Sequence, residues 1–376
     1  MKSKSEVINN MKIGIITGDH KRNQTGIGNY CFEMIKYLKH KNSVSLIKHS
    51  SGDDEPGCDT IISNFPPGNF SYLLWSMSLS LHRDKLKDFD IIHNPAQYPV
   101  IPMGKKYVIT IHDLIPVLYP QMVGKIHANA FKKYIPYIIK HSSKIISISK
   151  STKNDIIRLY SINPDKIDVI PNGVSESFKI MPSSLLNEFR ERYKLTNPYI
   201  LFVGALEPKK NIPNLIKSFF YLLQEKPEFE LIIAGKKSWY YEDIFQTIKN
   251  LGIQTQVRFL NYVTSEDLPL LYNAAEIFVF PSIYEGFGLP PLEAMKCGTP
   301  VITSNVSSLP EVMGEKGIMV EPDDPVALCE AMKKLIQDIS FREDQVKYGL
   351  ERSRQFSWEK TADMTLEVYK KVTESE

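Results

Sequence analysis

Apolar positions along the chain fall in short unbroken runs, and each run is followed by a turn and then by a helical period. The first is KIGIIT at residues 12–17. A glycine turn follows, TGIGNY at 25–30, and then a helical spacing from Tyr30 to Leu38 with apolar residues at Phe32, Ile35 and Leu38. A strand, a glycine loop and a helix in that order open a parallel α/β unit. Further runs, Ile91–His93, Tyr107–Ile111 and Lys144–Ile148, read as strands buried on both faces of a parallel sheet. Between the last two, Lys125 to His141 has helical spacing, and Pro136 is expected to kink or divide it.

The alternation restarts at Tyr199. YILFVG (199–204) is a strand ending in a glycine loop, and residues 211–225 form a helix with Pro213 near its start. FELIIAG (229–235), VRFLNYV (257–263), EIFVFPS (276–282) and TPVITSN (299–305) continue it. Residues 356–372 are a helix with no strand after it. The expectation is two α/β halves: residues 1–180, with 1–10 a loose tail, then 181–355, then a terminal helix over 356–376 packing across both. A length of 376 residues agrees, at roughly 150 residues per domain.

Composition changes this picture little. With 43% apolar and 24% charged residues the chain is ordinary globular protein. No stretch approaches about 18 uninterrupted apolar residues, so no transmembrane helix is expected. The N-terminus has no apolar core of a secretory signal. Cys31, Cys58, Cys297 and Cys329 are too far apart for a zinc ribbon or a redox dithiol, so reduced structural thiols in the cytoplasm are expected. Charge adds an asymmetry: residues 1–180 carry a net of +9 and residues 181–376 a net of −6. A basic half can face phosphate, nucleic acid or an anionic membrane, or simply be a solvated face. All eight histidines lie in that half.

Four clusters can carry chemistry. Residues 281–305 hold Glu285 and Glu293 around Gly286, Phe287, Gly288 and Leu289, the last opening a helix. Glycines let backbone N–H groups approach a ligand, and a helix N-terminus favours anionic or hydroxyl-rich groups. Acids placed to suit a helix dipole would give the same pattern. In GALEPKKN (204–211), Lys209 and Lys210 stand where a helix begins, an unfavourable place for a cation unless an anion such as a diphosphate binds there. Gly26 and Gly28 lack the third glycine of a dinucleotide fingerprint, no well-formed second strand ends in an acid, and Asp53 and Asp54 sit in a loop. In IHDLIP (111–116), His112 and Asp113 follow a buried strand, at the end where α/β proteins bind ligands. Asp88 and Asp90 read as a solvated turn rather than a metal site, and no metal-ligand spacing is visible.

Jointly these residues resemble the family-4 retaining glycosyltransferases (glycosyltransferase group 1, GT-B fold), among them bacterial polysaccharide mannosyltransferases. The stretch Glu285–Ile302, the EPKKN motif ending at Asn211, the PNGV turn at 171–174 and Ser147–Ser149 carry the likeness. The resemblance implies two Rossmann-like domains facing across a cleft, the first for the acceptor and the second for the donor. It implies that Glu285, with the backbone of Gly286, Phe287, Gly288 and Leu289, holds the donor sugar, and that Glu293 holds the ribose. Lys210, exposed in the cleft, and Lys209 would neutralise the diphosphate. Tyr262 would join the donor site, Gly26 or Gly28 would approach the phosphates, and His112 would face the reacting sugar. Ala205 stands where many members place an arginine.

The implied donor is a GDP- or UDP-linked hexose, mannosyl or glucosyl favoured, used as a substrate with no cofactor or metal. The implied acceptor is a glycan or lipid-linked glycan, and no nucleic acid is involved. Two other readings stay open, a sugar-nucleotide 2-epimerase of the same fold and a non-catalytic sugar-nucleotide binder. Lys125, Lys132, Lys133 and Lys140, beside Phe131, Tyr134, Ile135, Ile138 and Ile139, suggest peripheral contact with anionic lipid at the inner face of the membrane, or else an apolar side turned to the domain core with the lysines simply solvated.

Overall fold

The computed structural model describes residues 11–18, 26–49, 54–63, 79, 86–102, 104 and 106–374. The expected loose tail at 1–10 and Asp53 lie outside them. The chain divides into two compact units. One takes in the described residues up to Pro120, Lys125–Gly173 and Ser357 onward; the other takes in Gln121–Gly124 and Val174–Phe356.

The first unit contains β1 (Lys12–Gly18), α1 (Gly26–Leu38), β2 (Ser43–His49), β3 (Asp59–Ser63), β4 (Ile91–Asn94), β5 (Tyr107–Ile111), α2 (Ile115–Leu118), α3 (Lys125–His141), β6 (Lys144–Ser147), α4 (Lys150–Tyr160) and β7 (Ile167–Val169). Its parallel sheet has the order β3-β2-β1-β4-β5-β6-β7. The central strands are largely apolar and buried on both faces, Ile13, Ile15 and Ile16 in β1 and all five residues of β5, of which Thr110 alone has a non-aromatic hydroxyl, because helices cover both sides of a parallel sheet.

The second unit contains α5 (Ser183–Tyr193), β8 (Tyr199–Val203), α6 (Ile212–Leu223), β9 (Glu230–Ala234), α7 (Glu242–Leu251), β10 (Val257–Leu260), α8 (Leu268–Asn273), β11 (Ile277–Phe280), α9 (Leu289–Lys296), β12 (Val301–Ser304), α10 (Leu309–Met313), β13 (Ile318–Val320), α11 (Pro325–Gln337) and α12 (Ile339–Ser353). Its parallel sheet runs β10-β9-β8-β11-β12-β13. Strand order reverses between β8 and β11. In an open α/β sheet the crevice at such a reversal, beyond the carboxyl ends of the strands, is where ligands bind.

The last helix, α13 (Trp358–Glu374), belongs with the first unit. It packs on α1, β4 and β6 through an apolar face that includes Trp358, Leu366, Tyr369 and Val372. The Thr361 hydroxyl donates to the Pro171 carbonyl at 2.7 Å, and Lys371 pairs with Asp168 at 2.6 Å. A side chain at Gly173 would collide with the backbone of Ser357 and Trp358, so the PNGV turn needs glycine where it meets this helix.

Several expectations change. β2 is a well-formed second strand, with Val44, Leu46 and Ile47 buried and Lys48 paired to Asp54 at 2.6 Å. The three-residue strands β7 and β13 also escaped the pattern, since β13 has only half-buried residues and β7 buries one of three. Helix α3 runs unbroken through Pro136 from Lys125 to His141. Its fully buried face, with Ile135, Ile138 and Ile139, spans the proline and holds the helix together by packing.

Candidate active site

In the second unit the loop after β8 is shaped by close backbone contact. Gly204 and Gly235 both have positive φ, at 158° and 155°, and a Cβ on Gly235 would run into the Gly204 carbonyl oxygen. The loop then forms a tight turn over Pro208–Lys210 and passes through Asn211 in the left-handed region before α6 begins. The Asn214 side chain donates to the Pro322 carbonyl at 2.8 Å, which fixes the start of α6.

This turn aims Lys210 at the loop that follows β11. Lys210 Nζ lies 2.6 Å from Glu285 Oε1 and 4.6 Å from the centroid of the Phe280 ring. Lys210, expected from the sequence to be exposed, is instead buried: 8% of its surface is accessible, as is 8% of that of Glu285. A cation so buried is tolerable because the carboxylate and the ring face replace water. Burial by itself would raise the Glu285 carboxyl pKa, but the charges of Lys210 and then Lys209 outweigh it and hold that carboxyl below its ordinary range. Lys209 lies 3.4 Å from Glu207, and its carbonyl accepts the Ile283 N–H at 2.8 Å, tying the two loops together.

The Glu285–Leu289 segment is held from behind. The Glu285 N–H donates to Ser307 Oγ at 2.9 Å. The Ser308 hydroxyl lies 2.9 Å from the Glu285 carbonyl and 2.6 Å from that of Phe287. Gly288, at φ 122°, turns the chain into α9, and Leu289 with Pro290 opens the helix. Gly286 and Phe287 are buried. One turn into α9, Glu293 Oε2 accepts the Tyr272 hydroxyl at 2.8 Å. Desolvation pushes the Glu293 carboxyl pKa up to about 7, against the opposing hydrogen bond. Tyr262, beyond β10, is 55% exposed, with Lys236 Nζ 5.1 Å from its ring centroid. Lys209, Lys210, Glu285, Gly286, Phe287, Gly288, Leu289 and Glu293 thus gather after β8 and β11, the two strands at the reversal.

His112, Gly26 and Gly28 belong to the first unit. Gly26 is exposed and Gly28 is buried in the first turn of α1. His112 follows β5, with its N–H donating to Gln97 Oε1 at 2.7 Å and Nε2 lying 2.6 Å from the Pro95 carbonyl. A carbonyl only accepts, so in the neutral ring Nε2 carries the hydrogen and Nδ1 the lone pair. The ring meets Tyr30 edge-on at 4.9 Å.

Behind it runs a chain the sequence did not reveal. Tyr30 Oη lies 3.1 Å from Thr110 Oγ1, which lies 2.8 Å from His93 Nε2, and His93 Nδ1 lies 2.6 Å from Tyr369 Oη on α13. Burial, with nearby His112 adding to it, pushes the His93 pKa down to about 3, so this imidazole is neutral.

Asp90 accepts the Lys12 N–H at 2.8 Å, and among the described residues no cluster of metal-ligating side chains occurs. The lysines of α3 are exposed, but Phe131, Ile135, Ile138 and Ile139 are buried and Tyr134 half-buried. Those side chains fill the first unit's core and are not available to lipid. Ile126, at 88%, and Tyr137 are the large apolar side chains that α3 exposes. No described helix is long and apolar enough to cross a membrane.

Comparison with known proteins bears on the whole chain. Residues 186–352 match the family model described as glycosyl transferases group 1, and residues 24–178 match that of glycosyltransferase family 4. O-antigen chain mannosyltransferase B of Escherichia coli is 32% identical, covering 96% of this chain and 100% of the relative. The uncharacterized glycosyltransferase MJ1607 of Methanocaldococcus jannaschii is 35% identical, covering 96% and 98%. Among solved structures, sucrose-phosphate synthase of Thermosynechococcus elongatus superposes with a TM-score of 0.77 at 20% identity, covering 97% of this chain and 100% of that one. Anabaena Alr3699/HepE in complex with UDP and glucose gives 0.78 at 18% identity, covering 95% and 99%.

Proposed function

The chain belongs to the group 1 glycosyltransferases and is a glycosyltransferase with two Rossmann-like units of the GT-B class, and from that premise we propose that it moves a mannosyl group from a nucleoside-diphosphate sugar to a growing glycan, with retention of anomeric configuration. The observation that carries the reading is the buried Lys210–Glu285 pair at the strand-order reversal. A cation and a carboxylate set side by side suit the two ends of a sugar diphosphate. Lys210 and Lys209 neutralise the departing diphosphate, and Glu285 accepts hydrogen bonds from hydroxyls of the transferred sugar. Glu293 accepts from the ribose. Preorganised charge of this kind stabilises a leaving group without a divalent metal. His112 keeps Nδ1 as its accepting nitrogen. In keeping with the family resemblance, the incoming hydroxyl attacks from the leaving-group side, and its proton passes to a departing phosphate oxygen.

Mannose is favoured by the full-length likeness to an O-antigen chain mannosyltransferase. A growing or lipid-linked glycan is favoured as acceptor on the same ground, and with such an acceptor we take the enzyme to work at the cytoplasmic face of the membrane. The outward side of α3 supports that contact, since the helix carries Lys125, Lys132, Lys133 and Lys140 and no acidic residue. Vesicle co-sedimentation tests it: binding should need anionic lipid, fall with salt and weaken when Lys132 and Lys133 become Glu. Retention by neutral and anionic vesicles alike would refute it.

Thermal unfolding against GDP-, UDP- and ADP-sugars tests the donor. A ligand at 100 times its Kd stabilises by about 2.7 kcal/mol, and GDP-mannose should give the largest shift. Stabilisation by a UDP- or ADP-sugar and none by GDP-mannose would overturn the mannosyl reading.

A further inference from the structure

The loop that leaves β9, GKKSWYY at residues 235–241, has features the proposed function does not use. It is laced to the loop that carries Lys209 and Lys210: the Leu206 N–H donates to the Lys236 carbonyl at 2.9 Å, and the Ser238 N–H donates to the Leu206 carbonyl at 3.1 Å. From that anchored base it holds two large aromatic side chains out to solvent, Trp239 at 53% and Tyr240 at 55% exposure. Tyr240 has a φ of 51°, in the left-handed region that bulky L residues rarely adopt. The backbone is thus strained to present a ring that stays more than half exposed. Such strain gathers at ligand clamps.

Trp239 is braced as well as exposed. A Cβ on Gly124 would stand 3.4 Å from its ring, so the Gln121–Gly124 segment lies against it. Neighbouring cations are already placed on other rings, Lys236 over Tyr262 at 5.1 Å and Lys237 over Tyr241 and Phe245 at 5.1 and 4.8 Å. Among the described residues no cation lies over the Trp239 or Tyr240 ring.

We propose that Trp239 and Tyr240 form a stacking shelf for a pyranose ring of the acceptor glycan, remote from the sugar being extended. Aromatic faces of low conformational entropy, apolar in body and polar at the tip, suit a ring with C–H faces and a rim of hydroxyls. The anchoring through Leu206 keeps the shelf in fixed register with the donor loop, as a chain-extending enzyme needs. The shelf rests on the reading of a glycan acceptor. Tyr262 under Lys236 is left for the base of the donor.

The test titrates the full-length chain with a linear α-linked mannooligosaccharide and with free mannose, followed by tryptophan fluorescence and ligand-observed NMR. The oligosaccharide should bind more tightly than mannose. Trp239→Ala should weaken it at least tenfold, about 1.4 kcal/mol, with nucleotide affinity unchanged within twofold. Tyr240→Gly should also weaken glycan binding while raising the unfolding temperature, because the backbone strain is gone. In turnover, both variants should raise KM for long acceptors and leave short ones unaffected. Unchanged glycan affinity in both variants, or no glycan binding by the parent, overturns the shelf. So does a loss of nucleotide affinity in Trp239→Ala, which would put the base there. Binding of a glucooligosaccharide in place of the mannan would keep the shelf and overturn the mannosyl reading instead.

Discussion

Replacing Lys210 by methionine removes the cation from the buried pair and keeps most of the side-chain volume. Lys210 and Glu285 are 2.6 Å apart and each is 8% exposed, so the carboxylate left behind has little water to turn to. Breaking one side of a buried pair costs about 3–5 kcal/mol. The cost should depend on pH. In the parent, Glu285 titrates below its ordinary range, so its contribution is present above about pH 4.5 and is lost as pH falls through the folded pKa. In Lys210→Met burial raises that pKa, so the destabilisation grows as pH rises above about 4.5 and levels off above the new folded value. Denaturant unfolding should therefore show a difference of about 3–5 kcal/mol at pH 8 that shrinks toward pH 4. Lys210→Met with Glu285→Gln should regain much of the lost stability, since both charges are gone. Neither variant should regain activity, with kcat down roughly 10²-fold or more for the loss of a preorganised charge. A single variant within about 1 kcal/mol of the parent at pH 8, or a double variant no more stable than the single, would refute the coupling.

Glu293→Gln should raise donor KM more than it lowers kcat, while Glu285→Gln should lower kcat; matching signatures would undo that division. Because the Glu293 carboxyl titrates near pH 7 and ribose hydroxyls need its ionised form, donor affinity measured by calorimetry should fall about tenfold from pH 8 to 6 in the parent and stay flat in Glu293→Gln. Gly235→Ala forces a side chain into the Gly204 carbonyl, so its unfolding temperature should fall by several degrees, corresponding to more than about 1 kcal/mol; an unchanged value would show that the two loops can part. Transfer activity should persist in excess EDTA, and complete loss restored by Mn²⁺ or Mg²⁺ would expose a metal site.

The local pattern carried the central strands, because buried parallel strands are continuous apolar runs, as in Ile277–Phe280. It failed at β13 and β7, three residues each, where half-buried side chains leave no run to see. The candidate site was legible as residue types but not as environments. An unfavourably placed lysine pair pointed to an anion, yet the pairing of Lys210 with Glu285 spans 75 residues and buries a cation the sequence marks as solvated. The Tyr369–His93 contact, 276 residues apart, lies beyond any local period. Helix α3 shows the converse: its basic composition was plain, but whether Phe131 and Ile135 faced solvent or core depended on neighbours that only the fold supplies.

Proton NMR of the reaction with GDP-α-mannose, with and without a mannan acceptor, tests mannosyl transfer with retention. Nucleoside diphosphate should be released in step with an α-linked product, and only when acceptor is present. A β-linked product would contradict retention, and conversion of the sugar nucleotide without acceptor would make the enzyme an epimerase rather than a transferase of this kind.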